Sequence, residues 1–272
     1  TVSMEAHFRM TRFEELLPPR EEVAVLSQVQ DLEALGLPIP PHGAAYSVNS
    51  GLWGVTIGGS ETNGTEATIP EDQWVRTKGA FDAPKSATRI TLGFANGIPA
   101  SLDGKAMGAV ELIEALDDLA GSYGIGRGVH LGDTILGIKG RVAFEAPAAF
   151  VILQAHRELE KLVLGRRTLN LKDLLAQSYG DCVHEGLWFD PACRAIEAFF
   201  DTTQTRVTGS VDVLLRAGSS IVEGVTSPFS LHAASKAVYG EAVGEWSPED
   251  AKGFSKVYAV GCALAARAGA QS

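Results

Sequence analysis

The 272-residue chain has a formal net charge of −10, and 45% of its residues are hydrophobic. The negative charge argues against nucleic acid or an anionic membrane as a partner, because both need a basic surface. The three cysteines form no CxxC pair and no stretch approaches the length of a membrane span, which favours a cytoplasmic protein with free thiols.

The spacing of apolar residues predicts helices at several places along the chain. They cover 21–35, 108–121, 148–164, 192–203, and a segment from Ser247 to about Ala268. The last begins with Ser-Pro-Glu-Asp, in which Ser247 is the N-cap and Asp250 completes a capping box. A Pro-rich stretch at 38–41 separates a short N-terminal piece from the main body.

Alternating and short apolar runs predict strands between these helices. The Gly-, Ser- and Thr-rich segment 45–69 is typical of strands joined by loops, and 87–94 is a strand followed by an Asn96-Gly97 hairpin turn. An apolar strand is predicted over 134–138. Two further strands, 207–215 and 219–224, are joined by a turn at 217–218.

Three cations accompany a Gly-rich turn in the middle of the chain. Arg127 lies within the turn 124–128, and Lys139 and Arg141 follow in an alternating pattern. This arrangement favours equally an anion-handling or substrate-shaping loop and a strand–loop–helix unit with ordinary surface charges. The six histidines lack metal-ligand spacing, so no metal site is expected. We predict that His156 is a structural hydrogen-bonder.

The stretch from 124 to 160 resembles the central segment of argininosuccinate synthase, whose pattern is close to GVGR…GIKSR..YE.PA, followed by a helix with an AH…LE core. Other motifs of that family occur in the same order, at 46–54, 101–104, 185–191, 206–209, 227–231 and 250–254. The similarity covers nearly the whole chain from about Arg20 onward.

The resemblance implies an α+β fold with a mixed or antiparallel sheet and flanking helices. It implies three parts: residues 1–40 as the end of a Rossmann-like nucleotide-binding domain, 41–245 as the synthetase domain, and 246–272 as a C-terminal oligomerisation helix. In that family this helix reaches a neighbouring subunit, so a homo-oligomer, a tetramer of the full unit, is expected.

The resemblance also implies an ATP-dependent ligase that joins a carbon to a nitrogen. The family adenylates the ureido oxygen of citrulline with ATP, which is used with magnesium, and an amine then displaces AMP. Its phosphate-binding loop, of SGGLDTS type, does not occur in these 272 residues. We therefore expect a complementary ATP-binding chain as partner, and small amino-acid-like molecules as substrates.

Several positions match the family's substrate-contacting residues, but with altered side chains. Ser47 and Thr56 match two pocket hydroxyls, whereas Gly132 and Phe144 stand where the family has the Glu and Tyr that receive the citrulline ammonium. A buried ammonium without its carboxylate would cost about 3–5 kcal/mol. The resemblance thus predicts an acceptor other than plain citrulline.

The first residues align loosely with a family segment that touches both substrates. Ser3 and His7 stand where the family has Asn and Arg, so both are site candidates. Thr1 would then begin inside the active-site crease, where its amine could activate its own hydroxyl as a nucleophile. We favour the simpler interpretation, in which a chain end happens to lie near the site, over a nucleophilic Thr1. An N-terminal-threonine hydrolase or self-processed protein, and a non-catalytic oligomeric scaffold, therefore remain alternatives to the ligase.

Overall fold

The computed structural model describes residues 46–84, 86–235 and 246–270. The predicted helix over 21–35 and the predicted nucleotide-domain remnant over 1–40 lie outside these residues. The chain divides into two compact units, one ending at Phe229 and the other beginning at Ser230. The predicted boundaries near 41 and 246 stay predictions.

The first unit contains both strands and helices. Most of its described α-helices lie in the sequence between the strand that ends at Glu145 and the strand that begins at Gly209. Its strands are β1 (Tyr46–Gly51), β2 (Gly54–Gly59), β3 (Thr88–Ala95), β4 (Ile98–Leu102), β5 (Lys105–Ala106), β6 (Arg127–Asp133), β7 (Lys139–Glu145), β8 (Gly209–Arg216) and β9 (Ser219–Thr226). Its α-helices within the described residues are α1 (Ala109–Ser122), α2 (Pro147–Val163), α3 (Arg166–His184) and α4 (Pro191–Gln204).

The described strands form two antiparallel sheets. One has the order β1-β2-β7-β6 and the other the order β5-β4-β3-β8-β9. Helices and antiparallel strands together confirm the predicted α+β class. The predicted hairpin turn is also present, because Asn96 and Gly97 both have positive φ, 50° and 80°, as a tight two-residue turn requires.

The main core lies between the five-stranded sheet and helices α1 and α2. Every second residue of β3 (Ile90, Leu92 and Phe94) is buried, as expected of a strand with one face in the core. From α2, the buried side chains recur every three to four positions, as in an amphipathic helix: Ala148, Val151, Ile152, Ala155, Leu159 and Val163.

A smaller core joins α3 to α4. It contains the buried Tyr179, Cys193 and Ile196, and the ring of Trp188 packs edge-on against Tyr179. Trp188 is therefore a packing residue of this smaller core. Helix α4 begins where Asp190 accepts a hydrogen bond from the N–H of Ala192, a normal N-cap.

The predicted strand over 134–138 is wrong. These residues form the turn between β6 and β7: the N–H of Thr134 donates to the carbonyl of Ile138, and Gly137 has a φ of 77°. Ile135 and Leu136 are largely exposed, at 67% and 84%. Their apolar character resembled that of a strand, but the pairing that forms a sheet involves the residues on either side.

The second unit consists of α5 (Leu231–Ser235), α6 (Pro248–Tyr258) and α7 (Val260–Gly269). The capping box between Ser247 and Asp250 is present as predicted. The single helix predicted to about Ala268 is instead divided at Ala259. Glycine lowers helix propensity, and Gly261 lies two residues after Ala259. The oligomerisation role of this segment stays a prediction.

Candidate functional site

The four-stranded sheet has two chemically different faces. Cross-strand partners in an antiparallel ladder project to the same side, and neighbours along a strand to opposite sides. Register therefore assigns twelve positions to one side, here called the glycine face: Ser47, Asn49, Gly51, Gly54, Thr56, Gly58, Gly128, His130, Gly132, Gly140, Val142 and Phe144. Six of these twelve are glycines.

Four of the predicted substrate positions share this face. Thr56 pairs directly with Phe144, which pairs in turn with Gly128 on β6. The Phe144 ring covers Gly128, since a Cβ built on Gly128 would lie 2.7 Å from the ring's Cζ. Ser47 lies on β1 and Gly132 near the end of β6. The face thus unites residues that are up to 97 positions apart in the sequence (47 to 144).

His130 also belongs to the glycine face, between Gly128 and Gly132 on the same side of β6. Its imidazole covers Gly132, because a Cβ there would collide with Nε2. Sequence reasoning did not select His130 as a site residue. The signal that could have found it was the period of two: His130 lies two residues from Gly132, a predicted site position.

The opposite side of the sheet, here called the braced face, carries the three predicted cations. It comprises Tyr46, Val48, Ser50, Val55, Ile57, Gly59, Arg127, Val129, Leu131, Asp133, Lys139, Arg141, Ala143 and Glu145. The predicted site set is therefore divided between two faces. Arg127, Lys139 and Arg141 do not lie with Ser47 and Thr56.

Arg127 is engaged by the chain itself. Its guanidinium donates to the hydroxyl of Thr77 at 2.7 Å, to the carbonyl of Thr77 at 2.8 Å and to the Glu71 carboxylate at 2.9 Å. The guanidinium also lies 4.8 Å from the centre of the Trp74 ring, a cation–π distance. These contacts hold the segment 71–77 against the sheet.

Arg141 holds the preceding loop in the same way. Its guanidinium donates to the backbone carbonyls of Glu61, Gly64 and Ala67 at 2.8–2.9 Å. Lys139 differs, because it pairs with Asp133 at 2.6 Å and both side chains are about two-thirds exposed. Through these contacts the two arginines hold neighbouring loops against the sheet. Their role in substrate binding stays a prediction.

A buried carboxylate, Glu145, completes the braced face. It is fully buried and accepts hydrogen bonds from the backbone N–H groups of Val75, Arg76 and Thr77, and from the Thr77 hydroxyl, at 2.7–3.0 Å. A buried charge is stable only when hydrogen-bonded or paired. Nothing in the sequence indicated which residues would supply these donors.

A second buried polar cluster lies among the helices. Lys172 and Glu160 pair at 3.0 Å, with side chains 1% and 0% exposed. Burial by itself would raise the pKa of Glu160, but His156, Lys172 and a hydrogen bond from Gln204 together lower it below its ordinary value. Burial lowers the pKa of Lys172 although Glu160 acts in the opposite direction.

His156 is fully buried and lies 2.9 Å from Gln204 through Nε2. Its ring contacts Phe94 in the main core at 5.6 Å between centroids. The structural role predicted for His156 agrees with this position, and the cluster joins α2, α3 and α4 from inside.

The predicted residues Thr1, Ser3 and His7 lie outside the described residues. Among residues 46–84, 86–235 and 246–270, no group of His, Cys, Asp and Glu side chains could hold a metal ion. In the same part of the chain, none of the helices combines the length and apolar character needed to cross a membrane.

The structure offers no phosphate cradle at Gly58 and Gly59 or at the Gly-rich turn 124–128. A phosphate-binding loop of the expected kind passes from a buried strand into a helix, whose N-terminal N–H groups meet the anion. Gly58 and Gly59 instead precede a four-residue 3-10 turn, and Gly124–Gly128 leads into β6. These residues do not fit an ATP site.

The sequence matches the family model of the arginosuccinate synthase C-terminal domain over residues 46–265. Argininosuccinate synthase from Methanocaldococcus jannaschii is 37% identical over 205 residues, which are 75% of this chain and 52% of that protein. The enzyme from Dictyoglomus turgidum is 42% identical over 223 residues, 82% of this chain and 55% of that protein.

The argininosuccinate synthase of Trichodesmium erythraeum is 38% identical over 227 residues, 83% of this chain and 56% of that protein. The chain thus spans about half the length of the curated relatives it matches. By this coverage and identity, the chain belongs to the argininosuccinate synthase family and corresponds to its C-terminal domain.

Proposed function

We propose that this chain is the synthetase part of an argininosuccinate synthase-like ligase that joins a carbon to a nitrogen. In this proposal an ATP-binding polypeptide supplies the nucleotide, and the chain binds the acceptor whose carbonyl or ureido oxygen is activated. The acceptor is an amino-acid-like molecule other than plain citrulline.

One observation carries the proposal. The four positions that the family resemblance links to the acceptor (Ser47, Thr56, Gly132 and Phe144) share the glycine face, although they come from four different strands. Two of the three cations on the other side, Arg127 and Arg141, contact the chain's own loops. A common face is what a single small ligand requires, because its groups must be met at one place.

The side chains of this face supply hydrogen bonds and shape. The Ser47 and Thr56 hydroxyls can each donate and accept, which suits a ureido or amide group. Gly51 and Gly58, where a Cβ would have nothing within 4 Å, allow a flat ligand to approach the backbone closely. Holding the acceptor in one orientation relative to the attacking amine is the contribution to catalysis that such a surface makes.

The acceptor differs from citrulline because none of the twelve side chains of the glycine face is a carboxylate. A free ammonium bound there would lose water without gaining an anionic partner. That loss costs about 3–5 kcal/mol, which corresponds to at least a hundredfold in affinity.

The proposal includes two partners. One is the ATP-binding polypeptide, which would use ATP with magnesium. The other is a further copy of the chain, contacted through α6 and α7. The large side chains of these two helices that are more than half exposed include Phe254, Val257, Tyr258 and Leu264, and exposed apolar patches of this kind mark protein contacts.

The test uses the chain with the polypeptides that co-purify with it from its source cells. Pyrophosphate release from ATP is measured with aspartate and a series of ureido and amide acids. We expect release that depends on both the acceptor and the co-purified polypeptide. Absence of acceptor-dependent release in the complete assembly would contradict the proposal.

A matched pair of variants locates the acceptor. Thr56→Val removes a hydroxyl from the glycine face and should lower the activity by about tenfold, the equivalent of one hydrogen bond. Thr202→Val makes the same change on α4, where the hydroxyl only bonds the Ala198 carbonyl, and should leave the activity unchanged. Equal activity of the two variants would exclude this face as the acceptor site.

A further inference from the structure

The surroundings of His130 are the most specific feature of the glycine face. Its imidazole occupies the space in which any side chain at position 132 would begin. His130 is half-buried, and within the described part of the chain its ring makes no hydrogen bond. Both ring nitrogens are therefore available to a ligand on this face, one as a donor and one as an acceptor in the neutral form.

The charges around His130 restrict that ligand. The nearest acidic residue in the sequence, Asp133, belongs to the braced face and pairs there with Lys139. Glu145 is also on the braced face, where four donors surround it. A ligand cation beside Gly132 would thus meet an imidazole and no carboxylate from this sheet.

The shape of the face is open where the hydroxyls lie. A Cβ built on Gly51 or Gly58 would have nothing within 4 Å. Ser47 pairs with Gly58 and Asn49 with Thr56, so polar groups border this space. One end of a ligand can therefore contact the hydroxyls of β1 and β2 while the other end reaches His130 across β7.

We infer that His130 is a specificity-determining residue, selecting an acceptor whose end beside Gly132 presents a hydrogen-bond acceptor, such as an acylated amine, in place of a free ammonium. This inference rests on the proposed function, because it assumes that the glycine face binds the acceptor. It assigns the substrate class: a ureido or amide acid with a blocked amino group. The imidazole N–H donates to the acyl carbonyl.

Two probes that differ only at this end test the inference. Citrulline has a free ammonium, and N-acetylcitrulline has a neutral amide. The full chain, with its co-purified polypeptides and ¹³C-labelled histidine, is titrated with each probe while the imidazole NMR signals are recorded. His130→Leu identifies the His130 signal by its loss from the spectrum. It also removes both ring nitrogens while keeping a side chain of similar size. His184→Leu is the matched control, because His184 is exposed at the end of α3.

We expect N-acetylcitrulline to shift the His130 signal and to bind at least about tenfold more tightly than citrulline. His130→Leu should remove this preference, and His184→Leu should retain it. In the double variant His130→Ala/Gly132→Glu, the imidazole that fills the space beside position 132 is removed and a carboxylate is added there. We expect this variant to bind citrulline more tightly than N-acetylcitrulline.

The outcomes separate the inference from the proposed function. Tighter binding of citrulline to the unaltered protein, with shifts on the glycine face, would overturn the role of His130 and support an acceptor site there. A preference for N-acetylcitrulline that survives His130→Leu would also overturn it. If neither probe shifts any signal of the face, both the inference and the acceptor site are wrong.

Discussion

The two faces of the four-stranded sheet are made by the same strands but carry different side chains. The glycine face has six glycines and no carboxylate among twelve positions, whereas the braced face has all three cations and the buried Glu145. On the braced face, the segment 61–77 makes hydrogen bonds with Arg127, Arg141 and Glu145, whereas Lys139 pairs with Asp133. Charged residues in a family motif therefore also hold loops in place, and a substrate-binding role of the three cations stays a prediction.

Glu145→Ala should cause the largest loss of stability, because three backbone N–H groups and the Thr77 hydroxyl would lose their acceptor. We expect the free energy of unfolding to fall by about 3 kcal/mol or more. Chemical denaturation measures this. The control is Asp133→Ala, which breaks only an exposed ion pair on the same face and should cost less than about 1 kcal/mol. Equal losses for the two variants would show that the hydrogen bonds accepted by Glu145 do not stabilise the fold more than an exposed ion pair does.

Gly54→Ala tests which glycines of the glycine face serve packing. Its new Cβ would lie 2.5 Å from the carbonyl oxygen of Glu145, a backbone atom that cannot move freely. We expect a loss of about 1–3 kcal/mol in the free energy of unfolding. Gly58→Ala is the matched variant, since a Cβ there has nothing within 4 Å. If both variants lose the same free energy of unfolding, the open space at Gly58 is not present in solution.

Arg127→Met and Lys139→Met compare a cation that is hydrogen-bonded to a loop with one that is largely exposed. Arg127→Met removes donors to Thr77 and Glu71 while keeping most of the apolar stem. We expect a loss of about 1–2 kcal/mol, measured by thermal unfolding. Lys139→Met, at a side chain that is 67% exposed, should change stability by at most about 0.5 kcal/mol. A larger loss of stability for Lys139→Met than for Arg127→Met would contradict the stabilising role assigned to Arg127.

Phe144→Tyr should have the smallest effect on stability, within about 0.5 kcal/mol. The ring lies over Gly128 on the half-buried side of β7, where an added hydroxyl can reach water. A larger loss in thermal unfolding would mean that the ring edge is enclosed. The glycine face would then be covered in the isolated chain.

The sequence by itself determined the positions of α1, α2 and α4, the Asn96-Gly97 hairpin and the Ser247 cap, each of which depends on local spacing or on one residue's backbone preference. The sequence also determined the family, because the ordered motifs extend over most of the chain. The α+β class followed from the family resemblance. The apolar run over 134–138 was misread, since exposed turns and strands can have the same composition.

Only the tertiary structure decided which motif residues lie together. Adjacent residues of a strand point to opposite faces. When β6 and β7 pair, Arg127 and Lys139 therefore lie on one face of the sheet, and Gly132 and Phe144 lie on the other. Likewise, the donors to Glu145 come from residues about 70 positions away. The same pairing places His130 on one side of the sheet with Thr56 and Phe144, because the face is formed by strands that are distant in the sequence.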